Sequence, residues 1–151
     1  MTPATLAALH RACFRRPPPW NEAAFAALLA GTGCVFLTTG AEGFALGRAI
    51  AGEAELLTLA VHPGARRLGH GRHLLTAFED EAARRGARVG VLEVAADNVA
   101  ARALYLGQGY HVAGHRPGLY TAPGLGRMDA LVMRHSLAAE PAEPALRTES
   151  G

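Results

Sequence analysis

No lysine occurs in this 151-residue chain: its whole Lys+Arg complement of 15 is arginine. An arginine-only basic set is what a GC-rich genome produces, yet it also suits phosphate, because the planar guanidinium offers paired donors. The net charge is only +2, and neither a long basic helix nor interleaved aromatics accompany it. Direct nucleic-acid binding is therefore not expected. Cysteine is scarce. Cys13 and Cys34 are the only two and lie far apart, which argues against a zinc site or a disulfide framework and suggests two small buried hydrophobes. No apolar run approaches the roughly 20 residues of a membrane helix. The N-terminal stretch is interrupted by His10, Arg11 and Arg15, so it does not read as a signal peptide, and a cytoplasmic protein is expected. The seven histidines are scattered without ligand spacing, so no metal is expected.

Half of the residues are apolar, which favours a folded, soluble domain. The length allows one domain, expected over residues 1–137. Residues 138–151 carry prolines and charges without periodicity and are expected to be a disordered tail.

Apolar spacing predicts a first helix over residues 3–14, with Thr2 as its cap. Pro17, Pro18 and Pro19 impose an extended link. Asn21 then caps a second helix that buries Phe25, Leu28 and Leu29 and stops at Gly31. Residues 34–39, 43–51 and 55–61 read as three strands with tight links, an antiparallel meander. Residues 69–85 form the clearest helix: Leu74, Leu75, Phe78 and Ala82 share a face, with Glu79 among the exposed positions. A strand at 87–95 follows, so strand, helix and strand make a parallel crossover beside the meander. Residues 98–107 read as a helix capped by Asn98. A short strand at 110–114, a turn-rich loop at 116–127 and a last strand at 128–135 complete the chain.

Three features bear chemistry. The loop Arg66-x-x-Gly69-x-Gly71 joins a strand to a helix start, where free amides and the helix dipole favour an anion. It lacks both the lysine of a phosphate-binding P-loop and the three glycines of a dinucleotide fingerprint. By itself it stands open between a tight turn and a pyrophosphate cradle. Glu93 lies inside the apolar VGVLEVA, where a carboxylate is costly unless paired, wet or reactive. It reads either as a salt bridge to an arginine or as a general base. Tyr105, at helical spacing in ARALYLGQGY, is either core or a proton donor at the rim.

Together the blocks LLTLAVHP, RRLGHGRHLL, LEVAADNVAARALY, QGY and MDALVM, in that order, resemble the GCN5-related N-acetyltransferases, and more narrowly the bacterial ribosomal-protein-alanine N-acetyltransferases. PPPWNEAAF is similar to the segment before that family's second helix. The resemblance implies an α/β (α+β) fold whose mixed, twisted central sheet, an antiparallel meander plus a parallel crossover with flanking helices, splays into a cleft for acetyl-CoA. It implies that Leu59, Ala60 and Val61 offer backbone hydrogen bonds to the acetyl and pantetheine end. Arg66, Arg67, Leu68, Gly69, His70, Gly71 and Arg72 would wrap the pyrophosphate, and Asn98 would bind the cofactor as well as cap its helix. Glu93 falls at the family's general base and Tyr105 at its general acid. The implied acceptor is a protein N-terminus, an alanine of a small-subunit ribosomal protein.

Two departures bear on that acceptor. Leu119-Tyr120 stands where an aromatic pair is usual, and Arg127-Met128 where a histidine and an acid are usual. The residues therefore leave two other readings: acetylation of a small amine or a lysine side chain, and a non-catalytic domain that binds CoA and contacts a partner.

Overall fold

The computed structural model describes residues 1–14, 19–66, 68–122 and 126–137, with the backbone alone for 119–122, 126 and 127. The expected tail at 138–151, and most of the proline link, lie outside the described residues. Side-chain caps start the first two helices. Thr2 accepts from the Thr5 amide at 3.2 Å to open α1 (Pro3–Cys13). Asn21 accepts from the Ala24 amide at 2.9 Å to open α2 (Glu22–Leu29). Each cap satisfies an amide that has no partner within its helix.

Six strands form one sheet, in the order β1-β2-β3-β4-β6-β5. β1 (Cys34–Thr39), β2 (Gly43–Ile50) and β3 (Glu53–Val61) are the antiparallel meander. After the turn at Pro63–Ala65, α3 (His70–Arg84) crosses over to β4 (Val89–Ala95), which runs parallel to β3. α4 (Val99–Gln108) follows, and then β5 (His111–Ala122) and β6 (Gly126–Ser136), an antiparallel pair that closes the sheet against β4. The mixed sheet expected from the sequence is therefore the one observed.

Apolar residues fill both faces. Phe78, Leu74 and Leu75 of α3 pack with Val35, Ala45, Leu56 and Leu92 on one side. Leu6 and Leu9 of α1 and Phe25 of α2 pack with Phe44, Leu46 and Ala60 on the other.

The last hairpin differs from expectation. Residues 116–127 are mostly strand rather than loop, because three residues (117–119) bulge opposite Asp129, between the pairs Arg116–Ala130 and Tyr120–Met128. Gly118 takes a φ of +62° there, and its amide donates to Asp129 Oδ1 at 2.7 Å. Pro117 and Gly118 punctuate a strand without ending it. That amide, with His115 behind it, holds the Asp129 carboxyl below the usual range. Two further expectations fail. Glu79 is not on the exposed face: it is partly buried and accepts from Gln108 Nε2 of α4 at 3.0 Å, and burial pushes its carboxyl above the usual range. Neither cysteine is fully buried, and both are free thiols.

A second bulge matters more. Leu46 pairs with Thr58 but its neighbour Gly47 pairs with Leu56, so Leu57 is an extra residue in β3. One extra residue flips the alternation of side chains. Ala54 and Leu56 face α3, whereas beyond the bulge it is Leu59 and Val61 that pack there, and Ala60 joins the α1–α2 side. Gly47 permits this, since a Cβ at that position would collide with the Glu55 carbonyl oxygen and lie 2.7 Å from the Phe78 ring. Gly47→Ala should therefore cost about 1–3 kcal/mol of stability, read from urea unfolding. Unchanged stability would show that the ring does not press on the bulge.

Candidate functional site

β3 and β4 are paired only over Glu53–Val89, Ala54–Gly90, Glu55–Val91 and Leu56–Leu92. Past the bulge the two strands part. Buried backbone groups need partners, and here residues 57–61 run on without pairing to β4. A cavity of about 510 Å3 occupies the parting, lined by residues 56–61 of β3 and 92–95 of β4.

One end of the cavity lies on the α3–α4 side, where Arg66, Gly69, His70, Gly71, Asn98, Leu104 and Tyr105 line it. Gly69 takes a φ of +83° at the start of α3 and supplies no side-chain cap, so the first amides of the helix face outward. Gly71 is tight: a Cβ there would sit 3.4 Å from Leu104 Cδ2. Arg66 is tied back, its Nε donating to the Val61 carbonyl at 3.1 Å. Asn98 Oδ1 accepts from the Ala101 amide at 3.1 Å, so the cap is formed and the side-chain NH2 remains for a ligand. Leu68 projects into solvent, and Arg72 is exposed and outside the lining; Arg67 lies outside the described residues.

Glu93 and Tyr105 approach the cavity from opposite faces of the sheet. Tyr105 belongs to the core on the α3–α4 side and stands edge-on to Tyr110, with ring centres 6.0 Å apart. Glu93 alternates with Leu92 and Val94, which belong to that core, and so emerges on the α1–α2 face. Its carboxylate is ion-paired with Arg116 Nη1 of β5. Glu93 thus has the arginine partner that one of its two readings called for, and it also lines the cavity.

The α1–α2 face contributes a wall that sequence reasoning missed. His10, Cys13, Phe14 and Trp20 all line the cavity. The His10 ring stacks on Trp20 at 5.0 Å and lies 4.4 Å from Phe14. Its Nδ1 accepts from the Trp20 amide and its Nε2 meets Thr58 Oγ1, each at 3.0 Å. No local pattern marks it, since a lone histidine on an apolar helix face usually reads as core; only the flipped Thr58 makes it part of the site.

The family can now be stated. Residues 5–110 match the acetyltransferase (GNAT) family, and the chain belongs to that family of acyltransferases. It is 38% identical over 118 residues to the ribosomal protein bS18-alanine N-acetyltransferase of Escherichia coli (strain K12), covering 76% of this chain and 79% of that relative. The crystal structure of the ribosomal-protein-S18-alanine N-acetyltransferase from Escherichia coli superposes with a TM-score of 0.77 at 32% identity, over 95% of this chain and 92% of that one. That of the ribosomal-protein-alanine N-acetyltransferase from Brucella melitensis shares the fold, with a TM-score of 0.70 at 24% identity over 91% and 97% of the chains.

Burial lowers the His10 imidazole from 6.5 to about 4. Below pH 6.5 the unfolded chain takes up the proton that the folded one refuses, so stability falls on acidification and this loss is complete near pH 4. The loss should be on the order of 3 kcal/mol. Urea unfolding across this range should show the slope in the wild type and a flatter one in His10→Gln; equal slopes would place the titration elsewhere.

Proposed function

We propose that this chain transfers the acetyl group of acetyl-CoA to the α-amine of a protein N-terminus, an alanine of a small-subunit ribosomal protein, in the cytoplasm. The observation that carries the reading is the parted β3–β4 edge, with a carboxylate and a tyrosine brought to the same cavity from opposite faces. The related enzymes from Escherichia coli support the choice of acceptor.

The residues present fit acetyl-CoA. The edge of Leu59, Ala60 and Val61 that β4 leaves unpaired suits the amide-bearing pantetheine, as an edge strand suits an added peptide. The first amides of α3, around Gly69, His70, Gly71 and Arg72, suit the pyrophosphate, with Arg66, Arg67 and Leu68 completing the loop. Asn98 has side-chain donors to spare. When bound, acetyl-CoA supplies an activated acyl carbon and a thiolate leaving group. Glu93 takes a proton from the acceptor ammonium, directly or through water, and Arg116 keeps the carboxylate satisfied until the acceptor arrives. The neutral amine attacks the acyl carbon. A backbone amide among residues 59–61 holds the charge that develops on the carbonyl oxygen. As the carbon–sulfur bond breaks, Tyr105 gives its proton to the departing thiolate, and the acylated nitrogen sheds its second proton, which restores the tyrosine through solvent.

An α-amine has a pKa near ~8, against ~10.4 for lysine, so a carboxylate base deprotonates a protein N-terminus more readily. The protein should release CoA with peptides beginning Ala-Arg faster than with lysine peptides whose N-termini are blocked or with small amines. The double variant Glu93→Ala, Tyr105→Phe should lose at least ~100-fold in kcat/KM. Turnover that survives in that variant would refute the assigned mechanism. CoA binding without acetylation of any amine would favour the non-catalytic alternative.

Gly71→Glu should abolish acetyl-CoA binding in calorimetry, because the new carboxylate would enter between α3 and Leu104 beside the pyrophosphate. Unchanged affinity would mean that the phosphates bind elsewhere.

A further inference from the structure

Thr58 stands just past the bulge in β3. It is only 7% exposed, lines the cavity, and faces α1. Its hydroxyl has one hydrogen-bond partner among the described residues, His10 Nε2 at 3.0 Å. The direction of that bond follows from the other ring nitrogen. The Trp20 amide can only donate, so Nδ1, 3.0 Å away, is the acceptor and carries no proton. A neutral imidazole holds its one proton on the remaining nitrogen, so Nε2–H donates to Thr58 Oγ1.

The threonine hydroxyl is thereby used as an acceptor, and its own proton is left over. Among the described residues Thr58 Oγ1 forms no hydrogen bond to an acceptor. A buried donor without a partner is costly, and this one sits in the wall of the substrate cavity, on the face where Glu93 emerges. It fits a ligand that offers an oxygen lone pair close to the amine that Glu93 receives. In a protein N-terminus that oxygen is the carbonyl of the first residue, one carbon removed from the amine-bearing carbon. A lysine side chain or a simple amine has no such group at that spacing.

We propose that Thr58 determines acceptor specificity by donating a hydrogen bond to the first carbonyl oxygen of the acceptor peptide. His10 is the positioning residue: its Nε2–H occupies one lone pair of the hydroxyl, so that the imidazole does not compete for the hydroxyl proton. The proposal rests on the reading that the acceptor is a protein N-terminus.

The test compares two acceptors with the full-length protein and acetyl-CoA: an Ala-Arg peptide, and the same peptide with a trans-alkene in place of its first amide. Thr58→Val, close in shape, should lose about three- to tenfold in kcat/KM on the amide peptide and change little on the alkene. Thr58→Ser should retain wild-type selectivity. His10→Phe should erode the same selectivity, which a merely structural role would leave intact by slowing both substrates alike. Emission of Trp20, the single tryptophan, checks that each variant keeps its wall. Wild-type turnover combined with equal losses on both peptides, or with no loss in Thr58→Val, overturns this proposal alone. Wild-type protein that acetylates neither peptide overturns the acceptor reading and this proposal with it.

Discussion

The structure turns on a pairing that stops. Parallel hydrogen bonding between β3 and β4 covers residues 53–56 and 89–92 and goes no further. A sheet interior does not normally leave strand edges unpaired, because each orphaned amide or carbonyl carries a desolvation cost. Here the extra residue at Leu57 breaks the register, and the strands diverge around a cavity. The helices on both faces hold the parted strands in place: α3 packs along β3 on both sides of the bulge, and α1 covers the opposite face beyond it. In the proposed reading an acyl donor lies along that open edge of β3.

The same bulge divides the chemistry between the two faces. On the α3–α4 side are the uncapped helix start, Asn98 and Tyr105, to which the proposed function gives the anionic donor and its leaving group. On the α1–α2 side are Glu93, Thr58 and the aromatic wall of Phe14 and Trp20, to which the proposed function gives the incoming amine. The two sides meet only where the sheet is open. Arg116 links the second side to β5, so the bulged hairpin fixed by Asp129 and Gly118 is coupled to the carboxylate through one ion pair.

Much of this was legible in advance because it rests on local signals. Thr2 and Asn21 announced helix starts, the spacing of Leu74, Leu75, Phe78 and Ala82 announced α3, and Glu93 stood out as an acid within an apolar strand. The bulge was not legible. LLTLAV contains no glycine or proline to mark it, and what permits it is Gly47 on the neighbouring strand, a tertiary fact. Without the bulge Thr58 would face α3, so His10 and the wall around it could not be connected to the site. The hairpin was misjudged for the opposite reason: Pro117 and Gly118 are strong turn signals, but the pairing on either side of them absorbs the turn as a bulge.

The most direct test of the parted edge is amide hydrogen exchange with and without acetyl-CoA. The expected result is slowed exchange at residues 59–61 of β3 and at the first turn of α3, with the paired residues 53–56 unaffected. Saturating acetyl-CoA that leaves residues 59–61 exchanging at their free rate would contradict the account, because the donor would then not lie along the opened strand.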